Sequence, residues 1–127
     1  MANPWFQGVD FIYLFVEDIV QSTNWYAKVF GVEPTHCSDV FGELQASHQT
    51  KISFHRADQK SPISCGGSVA YFKTWDWNKS LRHFTDNGAT IYRGPLKIPT
   101  GQSIAQLRDP FGQVIGLIGY ANEPTSS

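Results

Sequence analysis

Gln106-Leu107-Arg108-Asp109-Pro110-Phe111-Gly112-Gln113-Val114-Ile115-Gly116-Leu117-Ile118 reads as a strand, a tight turn and a second strand, and it decides the fold. Pro110 presets φ for a turn, Asp109 can accept hydrogen bonds from the turn backbone, and Gly112 accepts the exit geometry. Val114 to Ile118 is apolar enough for a buried strand.

Upstream of this tail the pattern supplies a strand over Gln102 to Leu107. Before it, Gly94 to Gly101 reads as a loop carrying Pro95 and Pro99, and Ala89 to Tyr92 opens another strand. Trp77, Leu81 and Phe84 form a helical stripe between a candidate N-cap, Asp76, and the stop Asn87-Gly88. Ser68 to Lys73 is the strand before that helix. The amino-terminal half has the same order. Asp10 to Val16 is a strand rich in aromatic and branched residues. Asp18 with Gln21 has the form of a capping box, so a helix starts near Ile19. Ile19, Ser22, Tyr26, Val29 and Phe30 fall on one helical face, and Gly31 stands where a left-handed C-cap belongs. Two or three short strands follow, among them Asp39 to Ser47, with Gly42 as a bulge candidate, and Lys51 to Arg56. Strand, helix and about three strands, twice over, is a paired module rather than a solenoid.

At 127 residues, 41% hydrophobic and 17% charged, the chain has the composition of one globular domain that needs no covalent staple. A net charge of −1 without long runs of either sign gives no electrostatic case for nucleic acid or an anionic membrane. No apolar run reaches the roughly 20 residues of a membrane span, and no signal-peptide pattern is visible, so a cytoplasmic location is the expectation. Cys37 and Cys65 are too few and too far apart for a disulfide framework or a zinc knuckle, and are expected as reduced, partly buried thiols.

Val16-Glu17-Asp18 before a helix with Trp25-Tyr26 and Phe30-Gly31, then Asn87-Gly88-Ala89, then Arg108-Asp109-Pro110-Phe111-Gly112, resembles the vicinal oxygen chelate superfamily. Glyoxalase I, bleomycin-resistance proteins, fosfomycin-resistance enzymes and extradiol dioxygenases belong to it. The likeness runs from about Asp10 to Ile118. It implies an α+β fold in which two βαβββ modules form a half-open barrel around a cleft. The first module would span 8–60 and the second 68–120, with 61–67 as connector and 121–127 as tail. It also implies a homodimer.

Enzymes of that superfamily place His or Glu metal ligands on four strands. Carried over by the resemblance, those positions hold Phe11, Ser53, Ser68 and Gly116 here. Phe has no donor atom, Gly offers only backbone, and serine hydroxyls are poor ligands beside imidazole or carboxylate. No metal and no cofactor is therefore expected. Strand parity puts Tyr13 and Phe15 on the face of Phe11, with Ile12, Leu14 and Val16 beneath the helix. From Ser68 the same parity gives Ala70 and Phe72 to the cleft and leaves Val69 and Tyr71 for the core. His55, two residues after Ser53, shares its face, and Gln106 or Arg108 stands at the edge. Trp75 and Trp77 are either rim residues or helix-to-sheet packing.

The expected site is thus Phe11, Tyr13, Phe15, Ser53, His55, Ser68, Phe72, Gln106 and Gly116, an aromatic-lined cleft for a hydrophobic, aromatic or cationic organic molecule. The function that follows is binding or sequestration of the bleomycin-resistance kind. Two alternatives stay open at this point. One is a glyoxalase-like lyase or isomerase with a rearranged site drawing on His55, Glu43 or Cys65. The other is a non-catalytic interaction scaffold whose aromatic residues fill a collapsed cleft.

Overall fold

The computed structural model describes residue 5, residues 9–63 and residues 68–121. Cys65, Gly66, Gly67 and the tail beyond 121 lie outside the described residues. The chain divides into two compact units, Met1–Ile63 and Ser64–Ser127.

In the first unit, β1 (Phe11–Val16) leads into α1 (Ile19–Phe30), followed by β2 (Pro34–Cys37), β3 (Gly42–Ser47) and β4 (Thr50–Arg56). Asp18 sits in an extended conformation and accepts the Gln21 N–H at 2.9 Å, satisfying one of the orphan donors of the first turn. Gly31 closes the helix at φ 69°, and the next N–H, that of Val32, reaches back to the Ala27 carbonyl. The sheet order is β1-β4-β3-β2, with β1 parallel to β4 and the other pairs antiparallel.

Helix α1 covers the face that carries Leu44, Ile52 and Phe54. The Tyr26 and Phe54 rings meet at 5.3 Å between centroids, and all four of these side chains are buried. Gly42 lies on this face and lets Thr23 and Ile19 approach the strand backbone, a space that a side chain would fill. It is a close-packing glycine at the start of β3, not a bulge. The register shifts fall instead between Gln45 and Ser47 and between Pro34 and His36. Strand β2 is the third strand of the module, which the sequence reading expected without placing it at Pro34–Cys37, and the residues before Gly42 do not join β3. Cys37, expected as partly buried, is an exposed free thiol at the end of β2.

The second unit repeats the order: β5 (Tyr71–Lys73), α2 (Trp77–Asp86), β6 (Thr90–Lys97), β7 (Ser103–Arg108) and β8 (Val114–Gly119). Its sheet order, β5-β8-β7-β6, has the same wiring, with β5 parallel to β8. Asp76 caps α2 by accepting the Lys79 N–H at 3.1 Å. Trp77 and Phe84 are its buried residues, while Leu81 is only half-buried. The two tryptophans therefore separate: Trp77 packs beside Gly119, and Trp75 is fully exposed. Strand β7 alternates strictly, with Ser103, Ala105 and Leu107 buried and Ile104, Gln106 and Arg108 half-buried on the opposite face.

The β7–β8 turn has the chemistry its sequence implies. Asp109 is 4% exposed, and its Oδ1 accepts the N–H groups of Phe111 and Gln113, each at 2.8 Å. Gly112 holds φ 97°. A buried carboxylate that satisfies two backbone donors fixes the hairpin register and so determines which β8 residues face which way.

In the second unit two elements differ from the sequence reading. The stretch Gly94 to Lys97, expected as loop, is the second half of β6, which continues through Gly94-Pro95 by a register shift between Arg93 and Leu96. Proline is tolerated there because β6 is an edge strand at a bulge, where a ladder N–H can be given up. Ser68 to Ala70, expected as strand, precedes β5, which starts only at Tyr71. Among the described residues no helix is long and apolar enough to cross a membrane.

Candidate functional site

Each sheet has one face covered by its helix and one turned away from it. On the first sheet the uncovered face carries Phe11, Tyr13 and Phe15, as strand parity requires. Parallel pairing sets Tyr13 opposite Ser53 and Phe15 opposite His55. The rings form a ladder: Phe11 meets Tyr13 edge-on at 5.0 Å, and Tyr13 meets Phe15 at 5.5 Å. His55 leans on both, at 6.0 Å from Tyr13 and 6.2 Å from Phe15. Such edge and tilted contacts are the arrangement that ring quadrupoles favour.

The His55 Nδ1 lies 3.1 Å from the Arg56 carbonyl oxygen, which orients the ring without engaging a carboxylate. Glu43 stands opposite Ser53 across β3–β4, and its Oε1 accepts the Thr35 hydroxyl at 2.9 Å. Ser53 belongs to this face but is only 2% exposed, so it is covered by its neighbours and is not a surface hydroxyl.

On the second sheet the uncovered face is built differently. Tyr71 pairs with Gly116, and Gly116 pairs with Gln106 on its other side. The Tyr71 ring lies directly over Gly116, where any Cβ would fall inside van der Waals contact of the ring carbons. The Gln106 Nε2 donates to the Tyr71 hydroxyl at 2.9 Å and holds the ring in place. This corrects the expectation for β5. Tyr71, not Phe72, shares the face of Gly116 and Gln106, while half-buried Phe72 pairs with Leu117 on the helix side. The parity failed because it was counted from Ser68, which is exposed and lies outside the strand.

Beside this trio opens a cavity of about 420 Å³, lined by Tyr71, Arg93, Gly94, Pro95, Leu96, Ile104, Ala105 and Gln106. The β6–β7 register places Arg93 opposite Gln106 and Leu96 opposite Ile104. The cavity therefore has an apolar body, from Pro95, Leu96 and Ile104, and a polar end, from Arg93, Gln106 and Tyr71. That combination fixes both the position and the orientation of an organic ligand. Arg108 is engaged elsewhere, 4.7 Å over the Tyr92 ring. Sequence reasoning found Gln106 and Gly116 but missed Tyr71, Arg93 and Leu96. A Gly-Pro step tolerated at an edge bulge was the available signal for the missed part of β6.

The fit of a metal at the four carried-over positions is poor on chemical and steric grounds. Phe11 offers no donor, Ser53 is covered, and a carboxylate side chain at 116 would occupy the space of the Tyr71 ring. Among the described residues, no three His, Cys, Asp or Glu side chains come together in a group able to hold a metal ion.

Comparison with protein families matches residues 8–117 to the Glyoxalase/Bleomycin resistance protein/Dioxygenase superfamily. Several solved structures share the fold. A glyoxalase/bleomycin resistance protein/dioxygenase family enzyme from Burkholderia phytofirmans PsJN aligns with TM-score 0.73 at 22% identity, over 87% of this chain and 96% of that one. An integron cassette protein from the mobile metagenome of V. cholerae is 27% identical, with TM-score 0.68 over 94% of this chain and 99% of its own. TnmS3, an antibiotic binding protein from Streptomyces sp. CB03234, aligns with TM-score 0.73 at 18% identity, over 93% and 99% of the two chains. Comparison with curated proteins returns no significant match.

Proposed function

This chain belongs to the Glyoxalase/Bleomycin resistance protein/Dioxygenase superfamily, and within it we propose that the protein binds or sequesters an aromatic or otherwise hydrophobic small organic molecule without a metal. The observation that carries this reading is the second unit's cavity, which joins an apolar wall to a few convergent polar groups. The Tyr71 ring over Gly116 supports it, because the strand position that a metal-binding carboxylate takes in related enzymes serves here as the seat of an aromatic ring. The similarity in fold to an antibiotic binding protein is in keeping with such a role. A homodimer belongs to the same reading, and its mass in solution tests that part.

The test is a titration with a panel of bicyclic aromatic compounds, followed by amide chemical shifts. Saturable shifts are expected in β6 and β7. They should be abolished by Leu96→Trp, which fills the cavity from an exposed edge position and leaves the core untouched. No saturable shift with any compound of the panel would overturn the reading.

A further inference from the structure

The lining of the cavity contains one charged side chain, Arg93, and no carboxylate. Among the described residues no acidic group pairs with this guanidinium, whereas Arg108 on the neighbouring strand already lies against the Tyr92 ring. The second polar group is the Tyr71 hydroxyl. It accepts from the Gln106 amide at 2.9 Å, so its own proton is available to donate. Arg93 stands opposite Gln106, the side chain that holds the Tyr71 hydroxyl, so the two donors belong to neighbouring positions of one cavity whose other lining side chains include Pro95, Leu96 and Ile104.

From this arrangement we propose that the ligand is an organic acid, an aromatic or alicyclic body with a carboxylate or comparable oxyanion held by Arg93 and the Tyr71 O–H. The proposal rests on the binding function proposed above and names its ligand class. A guanidinium presents its N–H groups in a planar fork that matches a carboxylate in two parallel hydrogen bonds. A cationic ligand, which the sequence reading had admitted beside a hydrophobic or aromatic one, would meet the one charge of the cavity as a like charge. The Tyr71 ring is turned onto Gly116, so its stacking face is already in use. The lining offers a cation no carboxylate, whereas it offers an anion two donors.

Three probes of one shape test this: naphthoate, naphthalenemethanol and naphthylmethylammonium, titrated calorimetrically into the full chain at fixed ionic strength. Naphthoate should bind most tightly and naphthylmethylammonium most weakly. Arg93→Gln should weaken naphthoate about ten- to hundredfold, the usual loss for a hydrogen bond to a charged group, while leaving naphthalenemethanol unchanged. Arg93→Lys should recover only part of the loss, because it restores charge without the fork. Arg56→Gln, at an exposed position on the first sheet, should leave all three affinities unchanged. Equal binding of the three probes, with Leu96→Trp blocking all of them, would overturn the acid preference and leave the binding reading standing. Naphthoate affinity unaltered by Arg93→Gln would also overturn it. Failure of all three to bind would remove the binding reading and this proposal with it.

Discussion

The two units have the same order of elements and the same sheet wiring, yet their uncovered faces came out differently. In the first unit, β1 supplies three aromatic rings in succession, and the partner strand adds His55, so each ring finds another ring at 5.0–6.2 Å. In the second unit, β5 supplies one ring, Tyr71, opposite a glycine, and the ring folds down onto the backbone. The small residue decides the outcome. The first unit places its close-packing glycine, Gly42, under the helix against Thr23, which tightens the core. The second places Gly116 on the uncovered face. Tyr71 sinks into that position, and the cavity opens beside it between Leu96, Ile104 and Gln106. One topology therefore yields a self-packed aromatic surface in one copy and a receptor-shaped one in the other.

Phe54→Ala should have the largest effect, because it empties the space under α1 that the Tyr26 ring shares. A loss of about 3–5 kcal/mol is expected in chemical denaturation. If it instead cost no more than an exposed substitution, the helix-side packing of the first unit would be wrongly described.

Asp109→Ala comes next. It removes the carboxylate that accepts the buried Gln113 N–H and the part-buried Phe111 N–H, a loss of about 1–3 kcal/mol for the buried group and less for the other. It should also broaden the amide signals of β7 and β8, since the turn holds their register.

Gly116→Ala should cost about 1–3 kcal/mol, the usual range for overpacking, because its methyl group collides with the Tyr71 ring. In the double variant with Tyr71→Ala the two losses should fall short of additive, the mark of a direct contact. Additive losses would separate the ring from the glycine and dissolve the contrast between the units.

Tyr13→Ala should have the smallest effect, roughly 0.5–1.5 kcal/mol for the ring contacts of a half-exposed residue. It should leave ligand affinity unchanged. A large loss of binding would move the site to the first unit.

Much of this was legible in the sequence for local reasons. The helix starts were set by Asp18 and Asp76, each of which caps its helix with a side chain three residues from the bonded N–H. The tail hairpin was set by Asp109 and Gly112, whose turn chemistry is complete within five residues. What could not be read depends on partners distant in the chain. Pro34-Thr35-His36-Cys37 has no apolar alternation and becomes a strand because β3 offers it an edge. Gly94-Pro95 looks like a break and is carried through by pairing with β7. Tyr71 was assigned to the core because the strand was begun three residues too early, and with a period of two an odd offset inverts every side chain. Leu96 was missed because the loop reading removed it from the sheet, and Arg93 because it stood between the expected strand and that loop; only the sheet brings them opposite Ile104 and Gln106.

The location of the ligand face is tested most directly by amide chemical-shift mapping during a naphthoate titration. Saturable shifts are expected at Tyr71, Arg93, Gly94, Leu96 and Ile104 to Gln106, with Phe11 to Phe15 and His55 unmoved. Shifts confined to Phe11, Tyr13, Phe15 and His55, with β6 and β7 silent, would contradict it.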